Sequence, residues 1–217
     1  AVSQCARFTH NPRRSHEKAL IQIGQYLKHT RDKGLILKVQ DSHEIRIDCY
    51  VDADFAGVWG YEDRDDPSCV KSRTGFVIFV MGAPIVWKSK LQDDIATSTM
   101  EAEYNALSMS MRDLLPLQHL VKNVVTSLKE DDTALATFKT TAHEDNLGCL
   151  KLAKMEPGRM TPRSKHYGVK YHWFRSKLKP NEIEIDPIGT NDQRADMYTK
   201  NLRVLKYEAN RLMTNGW

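Results

Sequence analysis

Glu44-Ile45-Arg46-Ile47-Asp48-Cys49-Tyr50-Val51-Asp52-Ala53-Asp54 is the stretch around which the rest of the chain organises. From Glu44 to Val51 apolar and polar residues alternate and then turn apolar, as a strand does when it passes from an edge into a core. Asp52 and Asp54 stand at its end. Residues 58–73, rich in Gly, Asp, Pro and Ser, read as a loop. Residues 76–81 and 85–87 then flank Gly82-Ala83-Pro84, which predicts two strands joined by a tight turn at that tripeptide.

Outward from this meander the periodicity changes. Ser98-Thr99-Met100-Glu101 has the spacing of a capping box, so a long helix is expected to follow. Ala102, Ala106, Met109, Leu114, Leu117 and Leu120 continue its apolar face as far as Val125, and Pro116 predicts a kink or break. Residues 135–140 read as a weak strand, 145–153 as a short helix, 164–178 as a longer one, 182–185 as a strand and 192–213 as a final, broken helix. Upstream, Ala19, Leu20, Ile23, Tyr26 and Leu27 form one stripe of an amphipathic helix over residues 15–30, with Ser15 as N-cap and Gly34 as a stop. Strands first as a meander and then alternating with helices predict a mixed α/β sheet.

The 217 residues suffice for one good-sized core, or one domain with a short appended segment. With 41% apolar and 28% charged residues and a mean hydropathy of −0.54, the balance is that of a soluble globular protein. No apolar run approaches the ~20 residues of a membrane helix. Cys5, Cys49, Cys69 and Cys149 are scattered without a C-x-x-C pair, which suggests neither zinc nor disulfides and fits a reducing, intracellular setting. The net charge of +4 is modest but uneven: residues 151–180 hold nine Lys and Arg against the single acid Glu156, either a solvated helix face or a patch for a polyanion. The chain opens at Ala1 with no signal-peptide pattern and reads as a piece of a longer protein.

Four acids fall beside apolar runs: Asp52 ending the first strand, Glu103 in the first turns of the long helix, Asp145 after the weak strand and Asp196 on the last helix. Carboxylates on the rim of a core are placed to converge, and hard divalent cations want several oxygen ligands. Two such ions activate water and stabilise the leaving oxygen of a phosphodiester. Position alone does not decide this, because Glu101 and Glu103 also suit a helix dipole and Asp52-Ala53-Asp54 also suits a strand-ending turn or a nucleotide-sugar site.

The words themselves say more. Tyr50-Val51-Asp52-Ala53-Asp54-Phe55-Ala56-Gly57, Ser72-Arg73-Thr74-Gly75-Phe76 and Ser98-Thr99-Met100-Glu101-Ala102-Glu103-Tyr104 resemble the ribonuclease H region of copia-type LTR retrotransposon polyproteins. Glu144-Asp145-Asn146, Arg163-Ser164-Lys165-His166, Tyr171-His172-Trp173-Phe174-Arg175 and Gln193-Arg194-Ala195-Asp196-Met197-Tyr198-Thr199-Lys200 resemble that family's later blocks. Ala1 to Phe8, Asn11-Pro12 and Tyr26-Leu27-Lys28 resemble the tail of the preceding reverse transcriptase, so residues 1–43 read as a tether and 44–217 as the nuclease domain.

The resemblance implies a ribonuclease H-like α/β fold, a five-stranded mixed sheet with three antiparallel strands first and helices on its faces. It implies metal binding and catalysis by Asp52, Glu103, Asp145 and Asp196, with two Mg2+ ions, or Mn2+ in their place, and Asp54 as a lesser partner. The implied reaction is endonucleolytic hydrolysis of the RNA strand of an RNA/DNA hybrid, leaving 3′-hydroxyl and 5′-phosphate ends. Its partners are the hybrid and the reverse transcriptase of the same polyprotein; its place is a cytoplasmic retrotransposon particle or the nucleus. The isolated domain is expected to be a monomer.

A hybrid is read through its backbones and 2′-hydroxyls. Ser98, Thr99 and Asn146 are the expected RNA contacts, and Arg73, Arg163 and Lys165 the expected phosphate contacts, Ser98 also being a plain helix cap. Trp87, Tyr171 and Trp173 read as core residues, with Trp59 at the surface. Related nucleases often carry a histidine on the loop before the last aspartate; none lies in residues 185–194, which leaves His166 or His172 for that role or for ordinary packing. Gly168 stands where the family often has an acid. Rival readings are a catalytically silent clamp of the same fold, whose mark would be a lost carboxylate, and an integrase or junction resolvase.

Overall fold

The computed structural model describes residues 1–39, 42–62, 65–128, 137–156, 159, 172–179 and 182–217. β1 (Glu44–Asp54) lies at the centre of a five-stranded sheet. It runs antiparallel to β2 (Arg73–Val80), which pairs antiparallel with β3 (Ala83–Leu91). On its other side β1 runs parallel to β4 (Thr137–Glu144), and β4 parallel to β5 (Glu184–Pro187). The spatial order β3-β2-β1-β4-β5, three antiparallel strands first, is the mixed sheet of the ribonuclease H-like fold expected above.

Alternation along β1 explains its position. Residues two apart share a face of a strand. Ile47, Cys49, Val51 and Ala53 are buried in one core cluster with Ala102, Ala106, Leu107, Met111 and Leu114 of α3 (Thr99–Ser127). Asp48, Tyr50 and Asp52 therefore share the opposite face. β1 extends to Asp54, three residues beyond the expected end, so Asp52 is held inside the strand by pairing with Gly75 rather than standing after it.

The helix start at Ser98 is as predicted: its hydroxyl accepts from Glu101 N at 3.1 Å, while the Glu101 carboxylate accepts from Thr97 N at 2.7 Å. Of the kink or break expected at Pro116, the break does not occur: α3 runs through the proline. Buried contacts on both sides hold the helix: Leu114 is fully buried, and buried Gln118 donates to Thr140 Oγ1 at 2.9 Å and to Glu182 O at 2.7 Å.

Several boundaries shift for local reasons. The β2–β3 turn is Met81-Gly82, both at positive φ, as a two-residue hairpin requires; Ala83 and Pro84 belong to β3, an edge strand that tolerates proline. Trp87, expected in the core, is half-exposed on that edge strand. α4 (Leu147–Ala153) begins after Asn146, whose side chain accepts from Cys149 N at 3.0 Å. Of the helix expected over 164–178, residues 164–171 lie outside the described residues, and Trp173–Lys177 is a single 3-10 turn. The last helix divides into α5 (Asp196–Thr199) and α6 (Val204–Asn215).

At the N-terminal side α1 (Val2–Ala6) and α2 (Arg14–His29) precede the sheet. Ser15 is not the N-cap: α2 starts one residue earlier, with Arg13 N donating to His16 Nδ1 at 3.0 Å. Several described residues of this segment contact the part of the chain that carries the sheet. Arg7 pairs with Glu62 at 2.7 Å, and Ile36 N donates to Asn215 O at 3.0 Å, with Tyr26 and Tyr207 joined through their hydroxyls at 3.3 Å. Leu20, Ile21 and Leu27 of α2 remain exposed.

Candidate functional site

Three elements deliver carboxylates to one point. Asp52 sits near the end of β1, Asp145 one residue past the end of the parallel neighbour β4, and Glu103 in the first turns of α3. One ligand oxygen from each lies within 4.8 Å of the others. Asp52 and Glu103 are buried and Asp145 is partly exposed, so the cluster opens to solvent on the Asp145 side. Burial, and then the Glu144, Asp52 and Asp145 carboxylates, push the Glu103 carboxyl up to about 10; burial lifts Asp52 to about 6 against the opposing pull of Lys200. Glu103 Oε2 is buried without a hydrogen-bond partner. Crowded carboxylate oxygens with an unspent acceptor suit a hard cation, and Asp52, Glu103 and Asp145 are able to hold a metal ion.

Asp196, fully buried at the start of α5, is not in that trio. It joins Asp52 through Lys200, whose ammonium lies 2.7 Å from Asp52 Oδ1 and 2.9 Å from Asp196 Oδ1. Lys206 takes the other Asp196 oxygen, and the Thr199 hydroxyl donates to Asp52 Oδ2. The preceding block fixes α5 on the sheet. Gln193 Nε2 donates to Val51 O at 2.8 Å, and the Arg194 guanidinium lies 4.7 Å from the ring centres of both Tyr50 and Phe79. Ser89 Oγ donates to Tyr198 O at 2.6 Å.

Over 208 residues the chain is 31% identical to the retrovirus-related Pol polyprotein from transposon TNT 1-94 of Nicotiana tabacum, covering 96% of this chain and 14% of that protein. Over 202 residues it is 29% identical to the corresponding polyprotein from transposon RE1 of Arabidopsis thaliana, covering 93% of this chain and 12% of that protein. The chain is homologous to a segment of the retrovirus-related Pol polyproteins of plant transposons. It spans 12–14% of the length of these two relatives. Among solved structures it is similar to the N-terminal RNase H domain of a Mycobacterium tuberculosis protein, fused to maltose-binding protein, at 12% identity and a TM-score of 0.46, over 77% of this chain and 96% of that one. It is also similar to an RNase H1 isolated from compost, at 19% identity and 0.45, over 73% and 94%. No protein-family model matches the chain.

Sequence reasoning missed three groups near the cluster. Lys200 was legible as an i, i+4 partner of Asp196. Lys206 lies on the next helix, and only the fold brings it to Asp196. Glu144 is fully buried beside the cluster: its Oε1 accepts from Asn146 N at 3.0 Å, its Oε2 has no hydrogen-bond partner, and burial pushes its carboxyl up to about 8.

The expected substrate residues fare unequally. Ser98 and Asn146 are the caps of α3 and α4, and Thr99 is exposed beside Ser98. Arg73 is turned toward the N-terminal segment, donating to Gln4 and, at 3.3 Å, to Ser89 Oγ. Arg163, Lys165, His166, Gly168 and Tyr171 lie outside the described residues. His172 Nδ1 lies 2.8 Å from the Tyr104 hydroxyl. Trp173, expected in the core, donates through Nε1 to Ser108 Oγ at 3.2 Å yet is exposed, as Trp59 is. Among the described residues no helix is long and apolar enough to cross a membrane.

Proposed function

We propose that this chain is the ribonuclease H domain of a retrotransposon Pol polyprotein, with residues 1–43 as its tether, and that it hydrolyses the RNA strand of RNA/DNA hybrids. The observation that carries the reading is the convergence of Asp52, Glu103 and Asp145 from three elements, with one Glu103 oxygen unspent, in a relative of transposon polyproteins. Asp196, tied to Asp52 through Lys200, completes the set of four. Magnesium ions held there, with manganese as a substitute, would activate water and take up charge on the leaving oxygen.

The chain's own groups supply the rest. Asp52 and Glu103, buried on rigid elements, fix the ligand geometry, while partly exposed Asp145 marks the side on which a scissile phosphate enters. Thr99 and Trp59, both exposed, stand free to meet a duplex at its backbone and grooves. Retention of all four carboxylates favours an active nuclease over a silent clamp. Incubation with labelled hybrid, duplex RNA and duplex DNA in Mg2+ tests the reading: cleavage is expected in the hybrid alone, at its RNA strand.

A further inference from the structure

Asp52, Lys200, Asp196 and Lys206 form an alternating line of charge. Lys200 Nζ bridges Asp52 Oδ1 and Asp196 Oδ1, at 2.7 and 2.9 Å, and Lys206 Nζ holds Asp196 Oδ2 while lying 3.2 Å from Thr190 O. Both aspartates are fully buried, whereas the two lysine side chains keep about a third of their surface in solvent. Buried carboxylates so placed repel unless a cation lies between them. Lys200 is that cation. Because a lysine ammonium rides on a flexible four-carbon stem, it can also leave without moving the backbone.

The two halves of the site thus differ. At Asp52, Glu103 and Asp145 the cluster includes a buried acceptor with no hydrogen-bond partner, Glu103 Oε2. Between Asp52 and Asp196 the oxygens already face a positive charge belonging to the chain. We propose that Lys200 is a tethered counter-ion competing with a divalent ion for the Asp52–Asp196 pair, so that the site fills in order: one ion among Asp52, Glu103 and Asp145, and a second only when Lys200 withdraws. This rests on the metal-dependent reading above. Lys200 is accordingly a positioning residue that holds the pair together before the second ion arrives.

Mn2+ titration of the 217-residue chain, followed by electron paramagnetic resonance of the free ion and by calorimetry, tests this without catalysis. The wild type is expected to bind one ion firmly and a second weakly. In Lys200→Met the second should tighten by at least ~10-fold, equivalent to ~1.4 kcal/mol, the first should change much less, and the metal-free melting temperature should drop. Lys200→Arg should behave as wild type, and Lys206→Met, which removes a positive charge from Asp196 Oδ2 without touching Asp52, should leave the contrast between the two ions in place. Lys200→Gln replaces the methionine variant if that one does not fold. Equal tightening of both ions in Lys200→Met, the same selective change in Lys206→Met, or no change in either would overturn the proposal. Wild-type Mn2+ binding that Asp145→Asn abolishes would leave the metal reading standing in those cases, whereas no wild-type binding would remove both.

Discussion

Gly75 and Thr199 approach so closely that a Cβ on the glycine would stand 2.6 Å from the threonine Cγ2. It would also stand 2.8 Å from Tyr198 Cβ, and Gly75 is the β2 partner of Asp52. The missing side chain is what lets α5 lie on the sheet beside Asp52. Gly75→Ala should push α5 outward and carry Thr199, Lys200 and Asp196 with it. We expect a loss of about 1–3 kcal/mol, as for overpacking, and a fall in hybrid cleavage of at least ~10-fold from misplaced groups. Thermal melting and cleavage rates on the same preparation check both.

Gln193 is the second clamp on α5. Its buried amide donates to Val51 O, so Gln193→Ala leaves that donation unmade, at about 1–3 kcal/mol. Chemical denaturation should show a lower midpoint at unchanged slope, and hydrogen exchange should quicken across residues 193–200 before it does in β1. Unaltered exchange there would mean that α5 is held by other contacts.

The carboxyl cluster makes the metal-free protein sensitive to pH. Glu103 and Glu144 ordinarily titrate near 4.5; burial, reinforced by neighbouring carboxylates, raises them to about 10 and about 8. Raised acids stabilise the fold fully below pH ~4.5, and that contribution disappears as pH climbs through 8 toward 10. In chelator the melting temperature should therefore decline between pH ~5 and ~9, and Glu144→Gln should make the decline shallower. A rise over the same range would contradict the assignment.

The sheet was legible because β1 announces itself twice, by alternation and by acids at its far end. α3 continues through Pro116, with Leu114 and Gln118 holding the helix on either side of it. Asp52, Glu103 and Asp145 were readable from the order of the motif blocks. Their meeting depends on the parallel pairing of β1 with β4, a contact between residues about 95 apart, such as the 2.9 Å bond of His143 to Asp48, that no local pattern encodes. The Arg73 partner was hidden for the same reason. Gln4 reaches it across 69 residues, a contact that no local pattern encodes. Lys206 and Glu144 carry no local signal, since a lone lysine on a helix and an acid in a strand are ordinary in sequence.

The N-terminal contact offers a separate test. Arg7→Ala removes the pairing with Glu62 and the weaker one with Asp66 at 3.5 Å. Hydrogen exchange over residues 2–8 should accelerate while hybrid cleavage stays within about twofold, because Arg7 pairs with Glu62 and Asp66 and with none of the clustered carboxylates. A large loss of cleavage would instead tie the segment to the nuclease site.

The most direct measurement is cleavage of an end-labelled RNA/DNA hybrid in Mg2+ by the chain and by Asp52→Asn, with duplex RNA and duplex DNA alongside. Neutralising the carboxylate that lies beside Glu103 and Asp145 and also faces Lys200 should lower the rate by more than ~100-fold, about 2.7 kcal/mol of barrier. The predicted result is RNA-strand cleavage in the hybrid alone, lost in Asp52→Asn. Hybrid binding without cleavage in either Mg2+ or Mn2+, or cleavage indifferent to Asp52, would contradict the nuclease reading and leave a nucleic-acid clamp in its place.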